Sequence, residues 1–240
     1  MSTSYKTIST SSLLLAGIIA AACWSMADIL LVGFIPNRQH YPLLASLAEQ
    51  IQGNVDLAAL MQQGSASRLQ AGVLTATFSV VFYLIATFAV YRLQHSGRIA
   101  RYCFLLLFTG YTLSPLGHAG FYYLGISAQT LLAGTAEDNM LHIAQYNRFY
   151  QMLLIHWLAS VTCSALGWLL LIWQILRQRS VLPRRFLWLT PLPLALIIAF
   201  TCKIFPTSSL AAMLGGASLN LAQLIFYSAT YLYCLRNKQP

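Results

Sequence analysis

Charged residues are scarce in this sequence: they make up 8% of its 240 residues, and acidic residues number only five. Hydrophobic residues make up 58%. A soluble domain of this composition would expose a very large apolar surface to water. The shortage of charge therefore excludes an ordinary soluble domain and predicts an integral membrane protein, with the lipid bilayer as its main partner.

Paired cysteines are also absent from the sequence. The five cysteines are scattered through apolar runs: Cys23, Cys103, Cys163, Cys202 and Cys234. Since no two of them form a Cys-x-x-Cys pair, neither a disulfide framework nor a thiolate metal cluster is indicated. The net charge of +9 comes from basic residues in the connections between apolar runs. Membrane orientation explains that placement, and no nucleic-acid partner is predicted.

Six apolar runs are each long enough to cross a bilayer, which takes about 20 residues of α-helix. They predict an all-α polytopic membrane protein with six transmembrane helices, forming a single membrane domain over residues 1–240. The predicted spans are residues 12–34, 69–91, 101–124, 147–175, 186–205 and 208–235. Residues 135–138 resemble a capping box, so the fourth helix is expected to start before its span.

Charged residues in the connections predict the orientation. One set of alternate connections carries ten basic residues and no acidic residue: Lys6, Arg92, Arg98, Arg101, Arg177, Arg179, Arg184, Arg185, Arg236 and Lys238. The other set balances four basic residues against four acidic ones: Arg38, Arg68, Arg148, Lys203, Glu49, Asp56, Glu137 and Asp138. Because cytoplasmic connections are enriched in Lys and Arg, both ends of the chain are predicted to lie in the cytoplasm.

The one long connection, the outer loop at residues 36–68, has two interpretations. Leu44, Leu47 and Ile51 recur at helical spacing within it. They indicate either a short helix lying in the membrane interface or a surface loop with a few buried anchors.

Few ionisable groups lie within the predicted spans, and each requires an explanation because a charge in hydrocarbon is costly. Asp28 is the single acidic residue there, and His118 and His156 are the only histidines. At a rise of about 1.5 Å per residue, all three lie roughly 10 to 12 Å below the outer boundary. This shared depth predicts one polar pocket in the outer half of the bundle. The candidate ligand-binding residues are Asp28, Ser114, His118, His156, Asn220 and Gln223.

The third span supports a pocket beside His118. Pro115 removes a backbone donor and is expected to kink the helix and open space. Gly117 and Gly120 flank His118 with minimal bulk, and Ser114 lies four residues before it on the same face. The alternative is that Asp28 and a histidine form only a buried interhelical bond, with the small residues serving close packing.

Three kinds of chemistry fit these residue types. Asp28, His118 and His156 are candidate ligands of a metal such as zinc, although no close-spaced ligand pair accompanies them. The two histidines are also candidate axial ligands of a haem, for which no propionate partners are identified. Lastly, a carboxylate and an imidazole within a membrane can relay protons in a transporter. No cofactor is specified by the sequence, and a protein without one fits equally well.

Four stretches of the chain carry a resemblance to a known family. They are residues 27–33 (ADILLVG), 67–72 (SRLQAG), 117–121 (GHAGF) and 183–220, which begins with PRRF. They resemble a family of uncharacterised bacterial six-helix membrane proteins, a domain of unknown function. The resemblance implies the six-helix fold, a multi-pass location in the bacterial cytoplasmic (inner) membrane and attention to Asp28, His118 and Asn220. It implies no activity.

A second likeness concerns a single motif. Ser114 and His118, four residues apart, are similar to the Ser-x-x-x-His pair of membrane hydrolases related to alkaline ceramidase. That family also uses paired histidines late in the chain, whereas here His156 stands alone before Trp157, and the helices are too few.

Three functions remain open at this stage. The first is binding or transport of a small, partly apolar molecule in the outer pocket. The second is a membrane-embedded enzyme, with or without a metal, acting on a lipid-like substrate through Asp28, Ser114, His118 and His156. The third is an assembly or accessory protein whose polar residues serve packing. Neither the substrate nor the oligomeric state follows from the sequence.

Overall fold

The computed structural model describes residues 8–52, 55–63, 65–133 and 139–237. Regular secondary structure within these ranges is helical and includes no β-strand. The predicted all-α class is therefore confirmed. The α-helices are α1 (Thr10–Val32), α2 (Pro42–Ser46), α3 (Val55–Gln62), α4 (Ala66–Arg92), α5 (Arg98–Ala133), α6 (Asn139–Leu176), α7 (Pro191–Lys203), α8 (Ser209–Gly216) and α9 (Ser218–Arg236). Two short 3-10 helices cover Arg38–His40 and Arg184–Leu189.

Four of these helices, α1, α4, α5 and α6, are long and apolar enough to cross a membrane. The pair α8 and α9 meets at a bend of 68° and gives a fifth candidate if the two are taken as one span. The described part of the chain thus has four to five candidate spans by length and composition. This agrees with a membrane protein built of transmembrane helices.

The regions of the predicted fifth and sixth spans are interrupted. Residues 186–205 hold the end of a 3-10 helix and then α7, which has 13 residues and starts at Pro191. Proline lacks an N–H group and holds the preceding residue in an extended conformation, so one continuous helix cannot form there. Residues 208–235 bend at Ala217, directly after Gly215 and Gly216, where glycine weakens the helix.

The third and fourth helices extend beyond the predicted spans. α5 runs from Arg98 to Ala133 and continues through Pro115, and α6 begins at Asn139. The capping box at residues 135–138 lies outside the described residues. These extensions pack against the segment between α1 and α4, where Leu44, Leu47 and Ile51 are buried in one apolar cluster. This segment, the predicted outer loop, includes the two short helices α2 and α3, and the three leucine and isoleucine side chains anchor it.

Six helices form a ring in the order α6, α5, α4, α1, α9 and α7. The contact between α5 and α6 is the most extensive, while the contact between α6 and α7 is the slightest in the ring. Small residues allow the close approaches, since a Cβ atom at Gly110 of α5 would overlap the Ser164 side chain of α6. The ring is therefore tightly packed on one side and has a weak seam between α6 and α7.

A buried arginine joins three helices at the end of this ring that α3 covers. Arg68, in the first turn of α4, is 8% exposed and stacks over the Phe34 ring at 4.2 Å. Its guanidinium donates to carbonyl oxygens in the last turns of two other helices: Leu30 and Leu31 of α1, Leu60 and Met61 of α3. Because a helix C-terminus carries partial negative charge, this cation stabilises both ends at once and holds α3 over the bundle.

Candidate functional site

Asp28 lies just over one turn before the end of α1 and is held by two other helices. Its Oδ2 atom accepts a hydrogen bond of 2.7 Å from Asn220 Nδ2 on α9. Its Oδ1 atom lies 3.3 Å from Nε2 of His118 on α5. The bend at Ala217 precedes Asn220 by less than one helical turn, so the broken helix positions this amide beside the carboxylate.

The His118 ring has both nitrogens engaged. Nδ1 lies 2.9 Å from the carbonyl oxygen of Ser114, one turn earlier in the same helix. A carbonyl oxygen only accepts, so Nδ1 carries a hydrogen and donates it. In a neutral imidazole Nε2 would then be an acceptor facing the carboxylate oxygen of Asp28. A hydrogen bond between these two acceptors requires one further proton, shared by Asp28 and His118.

Asn220 and Gln223 are oriented by two buried tyrosines. The Tyr83 hydroxyl donates to Asn220 Oδ1 at 2.7 Å, and Gln223 Nε2 approaches the same oxygen at 3.3 Å. The Tyr111 hydroxyl donates to Gln223 Oε1. The two phenol rings stack in parallel with their centroids 4.3 Å apart. Each amide thus receives hydrogen bonds at its oxygen, and the Asn220 amide donates to Asp28, so the chain of donors ends on the carboxylate.

A cavity of about 520 Å³ adjoins this network. Asp28, His118, Asn220 and Gln223 lie on its wall, together with serine hydroxyl groups and aromatic rings of α1, α5 and α6. Leu57 of α3 also lines it, so the segment between α1 and α4 forms part of its boundary. The cavity therefore combines one carboxylate and one imidazole with a mainly apolar and aromatic lining.

The cavity forms where α6 and α9 separate. Trp168 of α6 packs edge-to-face on Phe226 of α9 with ring centroids 5.2 Å apart. One turn away the helices present small and polar side chains instead, Ser164 on α6 and Gln223 on α9, and both line the cavity. The aromatic contact holds the helices at one end, and the space beyond it remains unfilled.

A second, apolar groove of about 660 Å³ lies along the seam between α6 and α7. Its lining includes Leu169, Ile172, Leu192 and Leu196. Ser218, the first residue of α9, lines both the groove and the polar cavity. The polar cavity and the apolar groove thus adjoin each other at Ser218.

The predicted site residues are not all brought together. Asp28, His118, Asn220 and Gln223 form one hydrogen-bonded network, and Ser114 lines the cavity and joins the network through its carbonyl oxygen. His156 lies on α6 and does not line the cavity. Position 156 is one residue before Trp157, which faces the cavity, so the helical rotation of about 100° per residue turns the imidazole away.

The candidate metal site differs from its expected form for the same reason. Within the described ranges, no three His, Cys, Asp or Glu side chains lie close enough to hold a metal ion together. Asp28 and His118 are adjacent, but His156 does not join them.

Sequence reasoning missed Tyr83 and Tyr111, which complete the network. Both are fully or almost fully buried. A phenol buried in hydrocarbon usually finds a hydrogen-bond partner, and this was the available signal. The chain has 13 tyrosines, however, and their spacing does not separate these two from the rest.

The chain matches one described protein family over residues 5–237, that is, nearly its full length. That family is described as Family of unknown function (DUF6796). The chain belongs to this family. The expected relation to a domain of unknown function is thereby confirmed, and membership in DUF6796 assigns no activity. No curated protein and no solved structure matches the chain.

Proposed function

We propose that the protein crosses the bacterial cytoplasmic membrane six times with both ends inside. The likeness of its motifs to bacterial membrane proteins and the uneven charges of its connections support this. Laid end to end, the 3-10 helix at Arg184–Leu189 and α7 would measure about 30 Å, which is close to the thickness of the hydrocarbon core. α8 and α9 supply the last crossing, with a bend.

Cysteine labelling tests this orientation. Single cysteines replace Ala48 in the outer segment or Gly97 between α4 and α5, both exposed, in a chain whose native cysteines are changed to alanine or serine. A membrane-impermeant maleimide added to intact cells is expected to label A48C and to label G97C only after lysis. Labelling of G97C in intact cells, with A48C protected, would reverse the orientation.

The function that the geometry supports best is binding or transport of a small, partly apolar molecule in the polar cavity. One observation carries this proposal: the Asp28–His118–Asn220 network lies on the wall of a space of about 520 Å³. A polar group placed there finds hydrogen-bonding partners, and an apolar remainder finds aromatic walls. The groove that shares Ser218 supports entry from the bilayer through the seam between α6 and α7.

Filling the cavity tests this function. Val161 lines the cavity, whereas Leu158, on the same helix, is 51% exposed and does not line it. The probe is 4-phenyl-1-butanol, a neutral molecule with a polar end and an apolar body. It is expected to raise the melting temperature of the purified protein and of L158W in a saturable way, and not that of V161W. Equal responses of V161W and L158W would contradict binding in the cavity.

The enzyme alternative gains no specific support from this geometry. In a hydrolase the Ser114 hydroxyl would need a hydrogen bond to a general base. Here both ring nitrogens of His118 are engaged, one by the Ser114 carbonyl and one by Asp28. A nucleophile–base pair is therefore not formed by these two residues.

A further inference from the structure

We propose that the ligand is a monovalent organic cation, an amine joined to an apolar body, which replaces the proton shared by Asp28 and His118. This inference rests on the binding function proposed above and names the chemical class of its ligand. It follows from the charge of the cavity, from its aromatic lining and from the proton that the geometry requires.

The charge of the cavity favours a cation. Asp28 is the one acidic residue on the wall, and no lysine or arginine stands among the lining residues in the part of the chain that the structure describes. The Asp28 side chain is 18% exposed, so its carboxylate is accessible from the cavity. An anionic ligand would find no lysine or arginine on this wall to pair with, whereas an ammonium group can pair with the Asp28 carboxylate in place of the proton shared with His118.

The aromatic lining points the same way. Five aromatic side chains from three helices surround the space: Trp24, Tyr111, Phe121, Tyr150 and Trp157. The faces of such rings carry negative potential and attract ammonium groups, most strongly when the site is shielded from water. The same rings offer apolar contact to the body of the ligand. A carboxylate within an aromatic enclosure is thus suited to an amine with an apolar substituent.

The shared proton makes this binding an exchange. Before the ligand binds, Asp28 and His118 together hold one proton besides that on Nδ1, so the pair has no net charge. When an ammonium group approaches Oδ1 of Asp28, that proton leaves to water and His118 becomes neutral. One positive charge enters and one leaves. The net charge of the cavity stays constant, which avoids the cost of adding an uncompensated charge in a medium of low dielectric constant.

The proton exchange is assigned to Asp28 and His118 after considering the other titratable groups around them. The other titratable side chains facing it are the phenols of Tyr83 on α4, Tyr111 on α5, Tyr150 on α6 and Tyr227 on α9. Phenol hydroxyls act as neutral hydrogen-bond donors near pH 7. Cys23 of α1 also lies near Tyr83. Helix α3 contributes Leu57 to the cavity lining, and the neighbouring Asp56 is paired with Arg38. Helix α8 contributes two glycines.

The experiment uses three probes with one body and different end groups: 4-phenylbutylamine, 4-phenyl-1-butanol and 4-phenylbutyrate. Binding to the full-length protein in detergent is measured by calorimetry from pH 6 to pH 8, where an alkylamine remains protonated. At pH 7.5 the amine is expected to bind at least about tenfold more tightly than the alcohol, and the acid not to bind.

The number of protons released on binding is the measurement that tests the exchange. While the pair holds its proton, each bound amine should release one proton into a weakly buffered solution. The dissociation constant of the amine should then fall about tenfold for each unit of pH increase. The alcohol should release none and show no such dependence. These readings need only the unmodified protein, so they hold even where a variant fails to fold.

Two single substitutions test whether the preference for the amine depends on Asp28. Asp28→Asn removes the negative charge and should abolish both the preference for the amine over the alcohol and the proton release on amine binding. Glu49→Gln is the matched control, because it removes an exposed acidic group outside the cavity, and should keep the preference. A preference for the amine that persists in D28N, or that is lost in E49Q, would overturn the inference.

The outcomes also separate the two proposals. If the alcohol binds in the cavity but the amine binds no more tightly, or binds without proton release, the cation inference fails and the binding function stands. If neither probe binds, both proposals fail. Tighter amine binding with release of one proton, dependent on Asp28 and not on Glu49, supports both.

Discussion

The two ends of the helix ring are closed in different ways. At one end the α4–α5 connection pairs with the segment after α6, because Val181 donates to the Leu93 carbonyl and His95 donates to the Arg179 carbonyl. Large side chains such as Trp168 fill the space between the helices there. At the other end, side chains rather than backbone groups join the segments, and the helices enclose a cavity. We call these ends the packed half and the cavity half.

The difference between the two halves shows where polar groups lie in such a bundle. The core of the packed half consists of buried apolar side chains, so its stability comes from contact between them. The cavity half holds Asp28, His118 and Arg68, which each need partners, and it gains stability from a small number of hydrogen bonds. Substitutions in the two halves should therefore differ in size and in kind.

The largest contrast is expected between two tryptophans of α6. Trp168→Ala leaves a void among fully buried side chains of the packed half and should lower the free energy of unfolding by about 3 to 5 kcal/mol. Trp157→Ala alters the cavity wall, where the ring is 43% exposed, and should cost about 1 kcal/mol or less. Reversible unfolding of both variants in mixed micelles measures this. Equal losses would remove the distinction between the halves.

Arg68 should give the next largest effect. Arg68→Met removes a buried cation and leaves carbonyl oxygens at the ends of α1 and α3 without their donor, so a loss of about 2 to 3 kcal/mol is expected. Arg148→Met is the matched control, because Arg148 is exposed on α6 at the same end. Hydrogen exchange should show faster exchange in α3 of R68M alone. Unchanged protection of α3 would mean that Arg68 does not hold this segment.

Asp28 and His118 should behave as one unit. Asp28→Ala and His118→Ala each remove a partner of the same hydrogen bond, and each should cost roughly 1 to 3 kcal/mol. The double variant should cost clearly less than the sum, because the second substitution finds the bond already broken. A double-mutant cycle of unfolding free energies measures this coupling. Additive losses would show that the two side chains act independently.

The smallest effect is expected at the ion pair between Arg38 and Asp56. Hydrogen bonds from Arg38 and its charge hold the pKa of Asp56 below its ordinary value. A carboxyl whose pKa is lowered on folding adds stability at neutral pH, and this contribution is lost as the pH falls through the lowered pKa. Because the pair is exposed, its loss should be visible in α3 and barely in global stability.

Arg38→Gln provides the measurement. Exchange protection of α3 in the unmodified protein should decrease below about pH 4, the range in which carboxyl groups take up protons, and that of R38Q should depend less on pH there. The same acid dependence in both proteins would mean that another group governs α3.

Much of the contrast between the packed half and the cavity half could be predicted from the sequence, and some of it could not. Apolar run lengths predicted an all-helical membrane protein, and the cost of lone charges in hydrocarbon singled out Asp28 and His118. The breaks at Pro191 and Ala217 did not follow, because apolar composition remains continuous across them. Residue depth alone placed His156 beside Asp28, since depth fixes the level of a side chain and leaves its direction around the helix undetermined.

The roles of Tyr83, Tyr111 and Arg68 depend on which helices are neighbours. Tyr83 reaches Asn220 across 137 positions of sequence, and no local pattern encodes such a pairing. Arg68 was counted as one positive charge of an outer loop, whereas it is buried among carbonyl groups from two other helices. Tertiary contacts assigned these roles, and a single sequence does not contain them.

The contact between Trp24 and His118 gives the protein an optical signal of its own. The two rings lie with centroids 4.8 Å apart at 66°. A protonated imidazole at this range quenches indole emission, and a neutral one does so far less. The part of the fluorescence that disappears in Trp24→Phe should therefore brighten when His118 gives up its proton, whether raised pH or a bound amine removes it. The charge state of the site can then be followed in real time without an attached dye.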